Sequence, residues 1–224
     1  MDYISLIMIL VASLITMGAS AYINLNYRKY KQVPVKCNKS GYDVAREILD
    51  RNGLSHLLIL ETQGELSDHY DPSNKVVKLS HDIYHGKTIA AVSVASHECG
   101  HAMQDKDGYA FLKFRNNIVP LVNFSSKIGY VAIMAGLILS MVNLIWIGIA
   151  FEIIILLFQL ITLPVEFDAS RRALVKIKEY GIVIKDEHSD AKTMLTSAAL
   201  TYVAGVISTL LEILRLVLAF TRRR

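Results

Sequence analysis

Between residues 128 and 165 the chain reads IGYVAIMAGLILSMVNLIWIGIAFEIIILLFQLITLPV, and Glu152 is its only charged side chain. One helix crosses a hydrocarbon core with roughly 20 apolar residues, so this run is long enough to cross and return. A tight helical hairpin turning near Asn143 is the expected structure, because helices satisfy their own backbone groups where no water is at hand. Outward from it, residues 4–23 and 195–220 form two more apolar runs of spanning length. A secretory signal peptide competes for the first run, but no Lys or Arg precedes it and the apolar stretch is long. The whole chain of 224 residues is 53% hydrophobic with a mean hydropathy of +0.37, which excludes an ordinary soluble domain of this length.

Basic residues set the expected orientation. Arg28, Lys29, Lys31, Lys36 and Lys39 follow the first run, whereas Met1-Asp2 before it carries no basic side chain. The positive-inside rule then places the following segment in the cytoplasm. The hairpin agrees, with Arg115 and Lys127 before it, Arg171 and Arg172 after it and no charge at its turn. Arg222, Arg223 and Arg224 oppose the rule if the last run spans fully; Glu212 and Arg215 in that run are spaced to pair on one helix face. The net charge of +4 is accounted for by these membrane-flanking residues and calls for no nucleic acid. Cys37 and Cys99 fall on the expected cytoplasmic side, where disulfides are rare.

Just before the hairpin lies His97-Glu98-Cys99-Gly100-His101. Two histidines four apart on a helix share a face, and both imidazoles can reach one Zn²⁺ at about 2.0–2.1 Å. Glu98 then projects to where an attacking water would stand, the arrangement of metal-assisted peptide hydrolysis. The flanks predict the helix: Thr88 is a candidate N-cap, residues 88–96 lack Pro and Gly, and Asp107-Gly108 supply a stop. Gly100 costs about 1 kcal/mol in helix propensity but permits close approach of a neighbouring segment or substrate. Between the first span and this helix, residues 42–50 carry a helical stripe of Val44, Ile48 and Leu49, with Gly53 as a stop. Strands are expected at residues 57–60, 65–70 and 75–79. The first two are expected to pair as a hairpin through Gln63-Gly64, and Asp71-Pro72-Ser73-Asn74 forms a second turn.

A catalytic zinc site takes three protein ligands and an open position, so a third ligand is required. Asp105, Asp107, Glu152, Glu166, Asp168, Glu179, Asp186, Glu187, His188, Asp190 and Glu212 lie downstream. Topology favours Glu166 without excluding the rest: a hairpin returns to the side it left, so Glu166 arrives where the zinc helix departed. Pro164 is a candidate kink at the membrane surface.

Three segments together resemble the YugP-like membrane zinc metallopeptidases: Leu66-Ser67-Asp68-His69-Tyr70-Asp71-Pro72; then Ile89-Ala90-Ala91-Val92 leading to His97-Glu98-Cys99-Gly100-His101-Ala102-Met103-Gln104; then Thr162-Leu163-Pro164-Val165-Glu166-Phe167-Asp168-Ala169-Ser170-Arg171-Arg172. A more distant similarity is to the HtpX and CAAX prenyl protease type, where a glutamate ligand opens a Glu-Phe-x-Ala-Asp pattern beyond a membrane hairpin. The resemblance implies a neutral zinc peptidase of the bacterial cytoplasmic membrane with Glu166 as third ligand. Ser170 departs from the pattern, since an aspartate there would orient a ligating imidazole; Asp168, Asp68 or a carbonyl are alternatives for that support.

The expected fold is therefore a mainly α membrane protein, with about four transmembrane helices and a small α+β zincin-like catalytic portion at the membrane surface. Its expected divisions are a span at 1–27, a water-facing portion at 28–117, the hairpin at 118–165, the third-ligand helix and loop at 166–194 and a membrane helix at 195–224. Zn²⁺ is the expected cofactor, Glu98 the catalytic base, and peptides or membrane proteins the expected substrates, with the active site facing the cytoplasm. Tyr202 and His188 are candidate donors to the transition state, although a helix-interface tyrosine and a solvated loop histidine are the commoner roles. Two rivals are an intramembrane protease, disfavoured because the motif helix is short and polar, and a non-catalytic scaffold with a closed four-ligand zinc site. His81 and His85 repeat the histidine spacing, but Gly86 interrupts and no glutamate follows His81, so both are expected in a loop.

Overall fold

A computed structural model describes residues 3–221. In chain order the elements are α1 (Tyr3–Tyr30), α2 (Gly41–Arg51), β1 (Leu58–Thr62), β2 (His69–Asp71), β3 (Val76–Ser80), α3 (His81–His85), α4 (Ile89–Lys106), α5 (Ala110–Ile138), α6 (Val142–Glu179) and α7 (Lys185–Thr221). α1, α5, α6 and α7 are each long and apolar enough to cross a membrane. The protein is thus mostly helical, with four apolar helices and one small sheet, as expected. Arg222, Arg223 and Arg224, and Met1-Asp2, lie outside the described residues.

Two compact units share the chain. The first comprises the residues up to Ser20, Lys113–Pro164 and those from Leu200 onward; the second comprises Ala21–Leu112 and Val165–Ala199. In the first unit the hairpin turns at residues 139–141, slightly before Asn143, with Ser140 in the left-handed region at φ 55°. Gly148 of α6 lies against Gly129 and Ile133 of α5, where an added Cβ would stand 2.3 Å from the Ile133 side chain. Small residues let membrane helices approach in this way. The Thr16 and Ser208 hydroxyls share a hydrogen bond of 2.8 Å, and Arg215 Nε donates to Glu212 at 2.8 Å, the pair that their spacing suggests.

The second unit carries the larger cluster of buried hydrophobic residues. Ser40 and Asp43 form a capping box at the start of α2, whose Val44, Ala45, Ile48 and Leu49 are fully buried. Gly53, at φ 67°, follows the end of that helix. Thr88 caps α4 by accepting from the Ala91 N–H at 3.3 Å, and the fully buried Ile89, Ala90, Ala91, Val92 and Ala95 pack into the same core. Each such Ile, Leu or Val stabilises the unit by about 1.5–3 kcal/mol relative to exposure. The small residues of α4 are what let its neighbours close on it from several sides.

The sheet differs from expectation in topology. Its order is β1-β3-β2: β1 runs parallel to β3, and β2 runs antiparallel to β3. No β1–β2 hairpin forms through Gln63-Gly64. The chain there takes left-handed backbone at Gly64 (φ 94°) and Leu66 (φ 56°), and the Asp68 carboxylate accepts from the Ser80 N–H at 2.7 Å. That bond pins the chain at the end of β3 and leaves only His69–Asp71 extended. The second turn forms as expected, with Asp71 Oδ1 accepting from the Ser73 and Asn74 N–H groups at 3.0 Å each.

Candidate metal centre

His97 and His101 stand one helical turn apart on α4, their ring centroids 4.7 Å apart and their planes at 82°. The third group comes from α6, which continues through Pro164 without ending. Its Glu166 places Oε2 3.2 Å from His97 Nε2 and 3.6 Å from His101 Nε2. All three side chains are largely withdrawn from solvent. Gly100 makes the approach possible: a Cβ there would meet the Ala169 carbonyl oxygen at 2.5 Å. The neighbour that the missing side chain admits is therefore the glutamate-bearing helix itself.

The neighbouring bonds decide which ring nitrogen faces the carboxylate. Gln104 Nε2 donates to the Val165 carbonyl at 2.8 Å and to Asp168 Oδ2 at 3.1 Å. Two acceptors on that side orient the amide, so Gln104 Oε1 must be the atom 3.0 Å from His101 Nδ1. His101 Nδ1 therefore carries the hydrogen, which in the neutral ring leaves Nε2, on the Glu166 side, as the nitrogen able to bind a metal. On the other ring, Ser170 Oγ lies 3.2 Å from His97 Nδ1. Serine at this position thus touches the imidazole that the usual aspartate would orient, without adding charge. Asp168 touches neither ring; it accepts from Gln104, Arg171 and Arg172 and so acts on His101 through the amide. Gln104 was missed from sequence, where it reads as one more polar residue at a helix end.

Glu98 is held apart from this group. Its Oε2 accepts from the Tyr70 N–H of β2 at 2.9 Å. Burial pushes its pKa up to about 7, with the charges of Glu166 and Asp68 adding to the rise and His97 opposing it. Asp68 is half of a loop anchor on Ser80. Tyr70 also donates its hydroxyl to Asp105 at 2.8 Å, and Lys75 bonds the same carboxylate at 2.6 Å, which fastens β2 and β3 to the end of α4. Cys99 is fully buried, with Sγ 3.6 Å from the Ala45 carbonyl.

Several alternative ligands are engaged elsewhere. Glu187 accepts from the Lys36 and Ile184 N–H groups, Asp190 from the Tyr30 hydroxyl and Asp107 from Arg172, while Glu152 and Glu212 belong to the first unit. His188 lines a cavity of about 420 Å³ together with Phe167, Ser170, Leu174, Lys178 and Lys192. Tyr202 lies on α7 within the first unit.

The residues present fit a zinc ion. For bonds of about 2.0–2.1 Å in tetrahedral geometry, ligand atoms sit about 3.3–3.4 Å apart, and the two glutamate–imidazole separations bracket that value.

Fold and site together define a membrane zinc metallopeptidase class: residues 5–221 match the family described as "Putative neutral zinc metallopeptidase", and the chain belongs to it. It is 43% identical over 202 residues, 90% of each chain, to the Bacillus subtilis (strain 168) protein named "Putative membrane protease YugP". No solved structure matches it.

Proposed function

We propose that the chain is a zinc-dependent endopeptidase of the cytoplasmic membrane, acting on membrane or membrane-associated proteins, with His97, His101 and Glu166 as metal ligands. The observation that carries this reading is the convergence of two α4 imidazoles with an α6 carboxylate beside the separately held Glu98. Zn²⁺ would supply Lewis acidity, lowering the pKa of water towards about 7 and polarising a peptide carbonyl. The protein's own residues do the rest. Gln104 and Ser170 hold the imidazoles in the tautomer whose Nε2 is a ligand. The Tyr70 N–H holds Glu98 Oε2, so that Oε1 takes the proton from the attacking water and returns it to the leaving amine. His188, on a cavity wall shared with Ser170, is our choice over Tyr202 as donor to the carbonyl oxygen. The apolar part of that cavity suits an apolar substrate side chain. Three ligands in the group, among the described residues, favour an open catalytic position over a closed structural one.

The test is hydrolysis of unfolded membrane proteins by the purified, detergent-solubilised chain, lost on chelation and regained with Zn²⁺. A protein that binds Zn²⁺ yet cleaves none of a broad peptide library would overturn the proposal. Removing the amide with Gln104→Leu should weaken Zn²⁺ about 10–100-fold, the usual cost of losing a ligand's supporting partner. Competition with a chromogenic chelator measures this, and unchanged affinity would show that the amide does not position His101.

We also propose that the second unit faces the cytoplasm, from the basic residues that follow α1. Cys37 is part-exposed and Cys99 buried, so a membrane-impermeant maleimide should label Cys37 in inside-out vesicles and not in intact cells. Labelling in intact cells would reverse the orientation.

A further inference from the structure

A second histidine pair is unused by this chemistry. Residues 81–85 are not the loop expected from sequence: they form α3, which Gly86 closes by donating its N–H to the Asp82 carbonyl at 3.1 Å. A turn of helix needs no residue beyond Gly86, so the glycine ends the helix instead of preventing it. Ile83 is buried, and Tyr84 packs against Tyr42 at 4.9 Å and against the His85 ring at 4.8 Å. These contacts fix which way α3 faces. The His81 and His85 rings then stand together, with centroids 4.8 Å apart.

The glutamate absent from the local sequence comes from β1. In the parallel register Glu61 pairs with Leu79, two residues before α3 begins. Its Oε1 lies 2.6 Å from His81 Nδ1 and its Oε2 3.1 Å from His85 Nε2. All three residues are exposed, and one ligand atom from each falls within 4.8 Å of the others.

We propose that Glu61, His81 and His85 form a second metal site, on the surface, for a borderline divalent transition ion such as Zn²⁺, Co²⁺ or Ni²⁺. Two imidazoles and a carboxylate are the donor set such ions prefer, and water completes the coordination on the exposed side. Bonds of about 2.0–2.2 Å require the closest pair to open by less than about 1 Å, which exposed side chains achieve by rotation. The ion ties strand β1 to α3, the helix directly preceding α4. Being solvent-exposed, the site fills after the buried one.

The experiment is Co²⁺ titration of the metal-stripped, full-length protein in detergent, with any affinity tag removed, followed by visible absorption and by metal content after gel filtration. Two equivalents are expected in wild type and one in His81→Ala/His85→Ala, whose metal-free thermal midpoint should match wild type because both side chains are exposed. The second equivalent should also raise the thermal midpoint of wild type and leave that of the variant unmoved. A metal content that is the same in wild type and in the double variant would overturn the proposal. Loss of the first equivalent alone in His97→Ala/His101→Ala would leave this site intact, so the two assignments fail independently.

Discussion

The Glu98→Gln variant is expected to lose about 10²–10⁴-fold in peptide hydrolysis while keeping its Zn²⁺, since that range is what a positioned general base contributes. Gln retains an oxygen to accept the Tyr70 N–H, so the side chain should stay in place while its proton affinity disappears. A stability effect of opposite sign should accompany the loss. Burial raises the Glu98 pKa from an ordinary 4.5 to about 7 in the folded, metal-free chain. A carboxyl group with a raised folded pKa binds more protons folded than unfolded between those values, so it increasingly favours unfolding as pH rises through them. The penalty is absent below the lower value and complete above the higher one. Metal-stripped Glu98→Gln should therefore be more stable than wild type at pH 8, by a few kcal/mol, and about equal to it at pH 4. Thermal unfolding at the two pH values reads the difference. Full hydrolytic activity in the variant would remove Glu98 from the mechanism.

Glu166→Ala should weaken Zn²⁺ by more than about 100-fold, beyond the range for a merely supporting partner, and hydrolysis should fall with it. The substitution leaves two imidazoles facing a small void, with the proposed three-ligand site reduced to two. A Glu166→Asp variant keeps the charge on a shorter stem and should recover part of the affinity. Metal content after gel filtration, compared with far-ultraviolet circular dichroism to verify folding, makes the measurement. Zn²⁺ retained at wild-type affinity by a folded Glu166→Ala protein would show that another group completes the site.

Much of this arrangement is legible from residue order. The apolar run interrupted only by Glu152 announces a hairpin because lipid leaves the backbone few alternatives. The spacing of His97 and His101 becomes a shared face as soon as Thr88 starts a helix. Glu166 required both arguments, one from topology and one from resemblance. What sequence hides is tertiary. Gln104 acquires meaning only when Val165 and Asp168 arrive from a distant helix to orient its amide. Likewise, Tyr70 holds Glu98 through a backbone N–H, which every residue but proline possesses. The strand order escaped because a parallel β1–β3 pair leaves no local turn signature, whereas Gln63-Gly64 resembles a hairpin turn without making one. For His81 and His85, the glutamate absent from the local sequence comes from β1 through the sheet register.

The close approach of Gly100 to Ala169 bears on how a hydrolase of the proposed kind is made safely. Sixty-odd residues, most of them in the apolar hairpin, are synthesised between His101 and Glu166. On the proposed ligand assignment, a nascent chain carries its histidine pair through that whole interval with no carboxylate to complete the grip on zinc. Proteolytic competence is then deferred until the hairpin has been translated, and biosynthetic order itself serves as the restraint that many secreted proteases obtain from a propeptide.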